Sequence, residues 1–222
     1  MAEETTLPSV IAQVVLSAVP ILAAIVFHEV AHGAVAFLLG DPTAARHGRL
    51  TLNPLPHIDP IGTVLLPGFL LVTSFLMGTS PFVFGWAKPV PVDYRQLHHP
   101  RRDAVLVALA GPLTNLLLAT LSAFVLAAIP GDVESGSLVH GVGLMAQTSV
   151  VINCVLAVFN LMPIPPLDGG HVLTAILPER AVRMLRRVER FGFIIVILIA
   201  LNTNLVSHLV RPLLVFFLRL GR

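Results

Sequence analysis

The chain has 222 residues, of which 55% are hydrophobic and 12% charged, and its mean hydropathy is +0.87. Soluble globular domains carry about 25% charged residues, so the composition excludes that class and predicts a polytopic integral membrane protein whose first partner is the lipid bilayer. The net charge of +2 bears on membrane orientation and not on nucleic acid binding, and the single cysteine, Cys154, excludes an intramolecular disulfide.

The first apolar segment covers about residues 11–39. With a rise of about 1.5 Å per helical residue, it is long enough to cross a hydrocarbon core of about 30 Å. Pro20 predicts a kink, and the Gly-Asp-Pro sequence at 40–42 ends the helix. The residues before this segment include no Lys or Arg, so we interpret it as a retained span and not as a cleaved signal peptide.

Inside this apolar segment stands the sequence HEVAH, which begins at His28. His28 and His32 are four residues apart and therefore share one face of a helix, where two imidazoles can bind a single tetrahedral Zn²⁺. Glu29 lies one step around the helix and can reach a water molecule at the metal without binding the metal itself. Ionisable residues are rare in apolar spans, so the pattern predicts a zinc site with Glu29 as the catalytic base.

The part of the chain between the first and the next full span is irregular. Residues 41–60 are polar and contain several prolines, and the alternation from Gly48 to Asn53 predicts a short strand. Two histidines of this loop, His47 and His57, are weak candidates for a metal ligand, because lone loop histidines are usually solvated or hydrogen-bonded. Residues 61–79 are apolar again and are interrupted by the Pro-Gly pair at 67–68.

Residues 81–93 read as an extended segment. Pro89 and Pro91 lie two apart and remove the amides from one edge of a strand, which leaves the other edge able to pair. A rigid proline-rich connector, with Trp86 as an interfacial anchor, is an equally good interpretation. The strand interpretation makes four residues candidates for substrate contact: Gly85, Trp86, Lys88 and Val90.

Three more apolar segments follow. Residues 104–129 form a clear span in which Gly111 and Asn115 lie four apart on one face; the asparagine is either a helix–helix contact or a site residue. Residues 139–162 form another span. Residues 191–220 are apolar but broken by polar residues at 202–204, so they form one imperfect span or two short ones.

The distribution of Lys and Arg predicts the orientation of the chain. Three loops (41–60, 80–103 and 163–190) carry Lys or Arg, whereas the loop at 130–138 carries none, so the positive-inside rule puts the first three in the cytoplasm. The apolar residues 61–79 then cannot cross once and must re-enter, with the Pro-Gly pair as the turn. The fold class is therefore an all-α integral membrane protein of about four to six transmembrane helices, with a re-entrant or β-hairpin segment after the first, in one domain covering 1–222.

The same topology brings Asp168 to the side of the membrane where His28 and His32 lie. Asp168 follows a proline-rich break and precedes two glycines, which suits a carboxylate at an unwound helix end. Two histidines and one carboxylate leave one zinc position open for water, as in catalytic sites. An ordinary Asp-Gly turn at a helix exit remains the alternative.

These residues resemble the site-2 protease family of intramembrane zinc metalloproteases, in its short bacterial form without a PDZ domain. The resemblance rests on HEVAH, on GxxxN at 111–115, on GRLTLNP at 48–54, on FGWAKPV at 84–90, and on the pattern formed by Asn160, Pro163, Asp168 and Gly169. It implies that His28, His32 and Asp168 bind zinc and that Glu29 is the catalytic base. It also makes Asn115 and Asn160 active-site candidates that contact the substrate or the oxyanion.

The expected function is therefore the hydrolysis of peptide bonds in transmembrane protein substrates by a zinc enzyme of the bacterial inner membrane, with its active site toward the cytoplasm. The strand edge at 84–92 is expected to hold the unwound substrate by β-augmentation. The alternative is a non-proteolytic zinc protein, either a metal transporter or a scaffold. A structural zinc normally has four protein ligands, and a transporter normally has ionisable residues along several spans, so the sequence favours the protease.

Overall fold

The computed structural model describes residues 7–78, 85–201 and 203–221, and in these ranges the chain is helical without a β-strand. Within these ranges there are eight α-helices: α1 (Leu7–Leu38), α2 (Thr43–Arg46), α3 (Leu66–Leu76), α4 (Pro100–Ala127), α5 (Leu138–Asn160), α6 (Asp168–Ile176), α7 (Glu179–Leu201) and α8 (Thr203–Leu220). The predicted all-α class is confirmed.

Three of the described helices are long and apolar enough to cross a membrane. They are Leu16–Leu38 within α1, and the whole of α4 and α5. They coincide with the three spans that the sequence predicts most clearly, and they support a membrane protein. For residues 191–220 the sequence predicts one imperfect span or two short ones. The structure divides them between α7, which ends at Leu201, and α8, which begins at Thr203.

The three long helices pack against one another through small side chains. Ala24 of α1, Ala108 and Ala119 of α4, and Cys154 and Ala157 of α5 are all buried, and small residues let helix backbones approach closely within a bilayer. On the opposite face of α4 the large side chains point outward, at Leu113, Leu117, Leu121 and Phe124. This spacing of three to four residues gives α4 an apolar stripe suited to lipid.

Two further contacts fix the helices around the long bundle. Val210 and Phe217 of α8 join a buried cluster with Ala123 of α4 and Val150 of α5. At the other end of the bundle, Val107 of α4 packs with Ala36 of α1 and Leu97 of the preceding loop. Helix α8 therefore lies on one side of the α4–α5 pair, and α1 on another.

The turn between α5 and α6 is closed by glycines. A Cβ atom on Gly169 would lie 2.6 Å from the carbonyl carbon of Leu161, and one on Gly170 would lie 2.5 Å from the nitrogen of Pro165. Only glycine tolerates so close an approach of one backbone to another. The two glycines therefore let residues 161–167 fold back against the start of α6, which places Asp168 at the first position of that helix.

The predicted strand from Gly48 to Asn53 is wrong. The amide of Gly48 donates to Ala45 O, and that of Arg49 donates to Ala44 O, so both close a turn after α2. Gly48 has a φ of 64°, a left-handed value that a strand does not contain. The stretch therefore begins with a compact turn and contains no strand.

The predicted turn at the Pro-Gly pair of 67–68 is also wrong, because these residues continue a helix. Asp59 accepts hydrogen bonds from the amides of Ile61 and Gly62, at 3.0 and 2.7 Å, and so begins a widened π-type turn over Pro60–Leu65. This turn leads directly into α3. Pro67 falls in the first turn of α3, where a proline is well tolerated.

Candidate metal centre

The imidazoles of His28 and His32 meet on the buried face of α1. Their Nε2 atoms lie 3.0 Å apart, and both side chains are largely shielded from solvent. The helical spacing of four residues that the sequence predicts is what brings the two rings side by side.

The other ring nitrogen of each histidine is held by α4. His32 Nδ1 donates to the backbone oxygen of Val107 at 2.7 Å, and His28 Nδ1 donates to Asn115 Oδ1 at 2.6 Å. A neutral imidazole carries one proton, so a proton on Nδ1 leaves a lone pair on Nε2. Both Nε2 atoms are therefore free to bind a metal, in the arrangement usual for histidine ligands.

Asp168 completes the group from the start of α6. Its Oδ2 lies 3.2 Å from His28 Nε2 and 3.3 Å from His32 Nε2, and it is buried without a hydrogen-bond donor among the described residues. Three electron-pair donors this close repel one another unless a cation lies among them. Ligand atoms bound to a tetrahedral zinc lie about 3.3 Å apart, so the three atoms fit this metal.

Gly111 of α4 makes room for the two rings. A Cβ atom at this position would lie 2.5 Å from His28 Cε1 and 2.7 Å from His28 Nδ1. The rings cannot move aside, because their Nδ1 atoms are hydrogen-bonded. The GxxxN pattern thus has a physical meaning: the glycine admits the imidazoles, and Asn115, one helical turn later, binds one of them.

Glu29 lies beside the three-atom group and is not part of it. Its Oε2 accepts a hydrogen bond of 2.7 Å from the backbone amide of Val90. A carboxylate with one oxygen fixed in this way is oriented and still has a second oxygen available. The position suits a proton acceptor next to a metal site.

The segment from Gly85 to Val92 forms neither helix nor strand, and its amides at alternate residues are hydrogen-bonded within the chain. The amide of Trp86 donates to Gly62 O at 3.1 Å, that of Lys88 donates to His57 O at 2.9 Å, and that of Val90 donates to Glu29. Arg49 donates to the carbonyls of Lys88 and Pro89. The edge that the prolines leave intact is therefore already bonded within the chain.

Two contacts hold the beginning of this segment close to the turn at Pro60–Leu65. A Cβ atom on Gly85 would collide with Gly62 O, and one on Gly62 would collide with the ring of Trp86. The two glycines thus allow the chain at Gly85 and the indole to lie directly against the helical turn. Trp86 is accordingly bound within the protein as well as partly exposed.

Three further candidates of the sequence analysis are Asn160, His47 and His57. Asn160 is the last residue of α5, is partly buried, and makes no side-chain hydrogen bond within the described ranges. His57 is buried and bonded through Nε2 to Thr51 O at 2.9 Å, whereas His47 is exposed. Neither loop histidine belongs to the candidate metal group.

The sequence argument missed Tyr94, which stands next to the centre. Its ring stacks on His171 of α6 with the centroids 5.7 Å apart. Burial, and secondarily the negative charge of Asp168, raises the pKa of Tyr94 to about 12. Nothing in the basic stretch around Tyr94 signals this contact, because it joins a loop to a helix more than seventy residues later.

Comparisons with known proteins agree on one family. The model of peptidase family M50 matches residues 132–202. YwhC of Bacillus subtilis, provisionally named a zinc metalloprotease, is 37% identical over 198 residues, which cover 88% of this chain and 84% of that protein. Rip2 of Mycolicibacterium smegmatis, named in the same way, is 30% identical over 83% of this chain and 66% of its own length. No solved structure matches the chain.

Proposed function

The chain belongs to peptidase family M50, and from this membership we propose that it is an intramembrane zinc metalloprotease that hydrolyses peptide bonds of transmembrane protein substrates. One observation carries the proposal. Two imidazole nitrogens of α1 and one carboxylate oxygen of α6 lie 3.0–3.3 Å apart inside an apolar helical bundle, with a fourth ionisable group, Glu29, beside them. Nothing in the packing of the helices requires such a group.

His28, His32 and Asp168 would hold the zinc ion. When bound, zinc supplies Lewis acidity, which polarises the scissile carbonyl and makes water easier to deprotonate. Glu29 takes a proton from the attacking water and returns it to the leaving amine. The amide of Val90 keeps one oxygen of Glu29 in place during these transfers, so that the other oxygen handles the proton.

The two asparagine candidates then have different roles. Both amide hydrogens of Asn115 are used, one toward Asn153 and one toward Ala24 O, so Asn115 has none to offer an oxyanion. Asn160 has a free amide at the end of α5, close in sequence to Asp168. We therefore assign the oxyanion role to Asn160 and a positioning role to Asn115.

Segment 85–92 is the proposed binding strand for the substrate. Gly85, Trp86 and Lys88 are exposed there, and the bonding of the alternate amides 86, 88 and 90 suits an extended chain. A transmembrane substrate must unwind before it is cut, because helical hydrogen bonds shield its peptide groups, and an extended neighbour can hold it. Since the intact edge is bonded to Gly62, His57 and Glu29, pairing on that edge requires the segment to lift away first.

The proposed topology follows from the loop charges and the three long helices. Helix α1 runs toward the cytoplasm, α4 runs back and α5 returns, so Asp168 reaches the cytoplasmic side of the bacterial inner membrane. The helical stretch Pro60–Leu76 has 17 residues and is about 25 Å long. It is therefore shorter than a hydrocarbon core, which is about 30 Å thick. We propose that it dips into the membrane without crossing, and that four to six spans in all form one domain.

The rival function, a non-proteolytic zinc transporter or scaffold, is not favoured. A structural zinc site would have four protein ligands, whereas the candidate group has three, and Cys154 lies in a separate apolar cluster with Ala119. A transporter would need further ionisable side chains along its path. In the part of the chain that the structure describes, no second metal-binding group accompanies the first.

The test compares the wild type with Glu29→Gln and, as a matched control, with Glu134→Gln, which changes an exposed loop glutamate. Zinc content and cleavage of a single-span reporter are measured in the same membranes. We expect Glu29→Gln to retain zinc and to lose about 10²- to 10⁴-fold in cleavage rate, since general acid–base catalysis supplies about that much. Equal cleavage by both variants, or zinc transport without any cleavage by the wild type, would refute the proposal.

A further inference from the structure

A chain of buried amides runs from the metal centre into the bundle. Behind His28 lies Asn115 of α4, whose Nδ2 donates to Asn153 Oδ1 of α5 at 2.8 Å. Asn153 Nδ2 in turn donates to Ser149 O at 2.8 Å and to Ser149 Oγ at 3.2 Å. Asn115 and Asn153 are 0% and 1% exposed, so neither can touch a substrate or solvent.

The backbone carbonyl of Ser149, at the far end of this series of hydrogen bonds, fixes the orientation of both amides. Ser149 O is a backbone carbonyl and can only accept, so Asn153 must turn its NH₂ group toward it and its Oδ1 toward Asn115. Asn115 must then present its own NH₂ group to Asn153. A second carbonyl, Ala24 O, accepts the other amide hydrogen of Asn115 at 3.3 Å and requires the same orientation.

The orientation of Asn115 in turn determines which ring nitrogen of His28 carries the proton. With its NH₂ group turned away, Asn115 offers only Oδ1 to His28, whose Nδ1 must therefore carry the proton, at 2.6 Å. The lone pair of His28 is then on Nε2, which faces His32 and Asp168. We propose that Asn153 orients the amide of Asn115, and that Asn115 in this orientation fixes His28 in the tautomer that binds the metal. We call this pair of asparagines the relay.

The two histidines make an internal comparison. His32 needs no relay, because its Nδ1 donates directly to the backbone carbonyl of Val107. His28 faces a side-chain amide, which could present either end to it, and the ambiguity is removed only by the carbonyls at Ser149 and Ala24. Asn153 is thus a positioning residue for a zinc ligand that it does not touch. The inference rests on the proposed zinc site and does not depend on which peptide bond is cut.

The first experiment measures zinc affinity of the purified full chain by competition with a chelator, for the wild type, Asn115→Leu, Asn153→Leu and the double variant. Substitutions behind a zinc-binding histidine typically weaken binding by about 10- to 100-fold. We expect Asn115→Leu to fall within this range and Asn153→Leu at its lower end, about tenfold. In the Asn115→Leu background the second substitution should have no further effect, because the relay is already broken.

The second experiment observes the tautomers by the ¹⁵N shifts of the imidazoles in metal-free protein, at a pH where both are neutral. His28 should carry its proton on Nδ1 in the wild type. In Asn153→Leu only the long 3.3 Å bond to Ala24 O still orients Asn115, so His28 should gain the Nε2-protonated form beside the first, while His32 keeps its form. Ser149→Ala, which retains the backbone carbonyl, is the matched control and should leave both unchanged. If Asn153→Leu does not fold, Asn153→Ala replaces it with the same expectation.

Additive losses of zinc affinity, or an unchanged His28 tautomer in the Asn153 variant, would overturn the relay. Neither readout uses cleavage, so the relay and the proposed function can fail separately. A chain that binds zinc through His28 but cleaves nothing would refute the protease and leave the relay standing. If the wild type cleaves its substrate but the His28 tautomer is unaltered in Asn153→Leu, the protease proposal stands and the relay is refuted.

Discussion

The two sides of the candidate metal centre are built in different ways. The rear wall consists of Val107, Gly111 and Asn115 of α4 with Asn153 of α5, all of them buried and closely fitted. The front segment, residues 85–92, has no regular secondary structure and is about half exposed, and it contacts the centre through the hydrogen bond from the amide of Val90 to Glu29. One side is closed by packing, and the other is joined to the centre by a hydrogen bond.

This difference separates metal binding from turnover. The rear wall contacts His28 and His32, the proposed ligands, so changes there should act first on zinc affinity. The front segment contacts Glu29, so changes there should act on proton transfer and on access of the substrate, with the zinc retained. A protease that cuts membrane segments needs both properties: ligands that do not move and a side that admits a chain.

The largest expected effect tests the rear wall through Gly111→Ala. The added methyl group would lie 2.5 Å from His28 Cε1, and the rings cannot give way without losing their Nδ1 hydrogen bonds. We expect zinc affinity to fall by about 10- to 100-fold, with a parallel loss of activity at limiting zinc. Gly68→Ala, where a Cβ atom meets nothing within 4 Å, is the control. Normal zinc binding by Gly111→Ala would break the comparison.

A smaller effect is expected at the front segment from Val90→Pro, which removes the amide that holds Glu29. Hydrogen bonds to charged groups contribute about 1.5–3 kcal/mol, so kcat should fall by about tenfold or more with zinc content unchanged. Val90→Ala keeps the amide and should retain kcat. Zinc loss in the proline variant, or equal kcat for the two variants, would show that the front segment has no separate role.

The smallest effect concerns Tyr94, which packs against the buried cluster of Val107 and stacks on His171. Tyr94 is the only tyrosine of the chain, so its ionisation can be followed by ultraviolet absorbance. We expect a midpoint near 12, and a lower one in Asp168→Asn, because part of the rise is due to the charge of Asp168. As a raised pKa favours the neutral form in the folded state, the stabilisation is complete below pH 10 and lost as the pH rises toward 12. An unchanged midpoint in Asp168→Asn would show that the charge of Asp168 does not raise the pKa of Tyr94.

Much of the rear wall could be predicted from the sequence, because its signals are local. The four-residue spacings of His28 with His32 and of Gly111 with Asn115 are properties of a helix and need no tertiary information. The partner of Asn115 could not be predicted in this way. An asparagine inside an apolar span can bond to any facing helix, and only the packing of α4 against α5 selects Asn153.

The front could be predicted less well, because its local patterns have more than one physical solution. Alternating residues at 48–53 suit a strand, but the stretch begins with a turn in which the amides of Gly48 and Arg49 bond to α2. The Pro-Gly pair at 67–68 suits a turn, but a proline is equally well tolerated in the first turn of a helix, because an amide there has no hydrogen-bond partner within the helix. The closed edge of the front segment depends on Glu29, Gly62 and His57, which are distant in sequence.

The central claim is that His28, His32 and Asp168 together bind one catalytic zinc, and X-ray absorption at the zinc edge tests it most directly. The account predicts two imidazole nitrogens at about 2.0–2.1 Å and carboxylate or water oxygens at about 2.0–2.2 Å, with one imidazole lost in His28→Ala. A sulfur neighbour at about 2.3 Å, or an imidazole signal that is unchanged in His28→Ala and in His32→Ala, would contradict it.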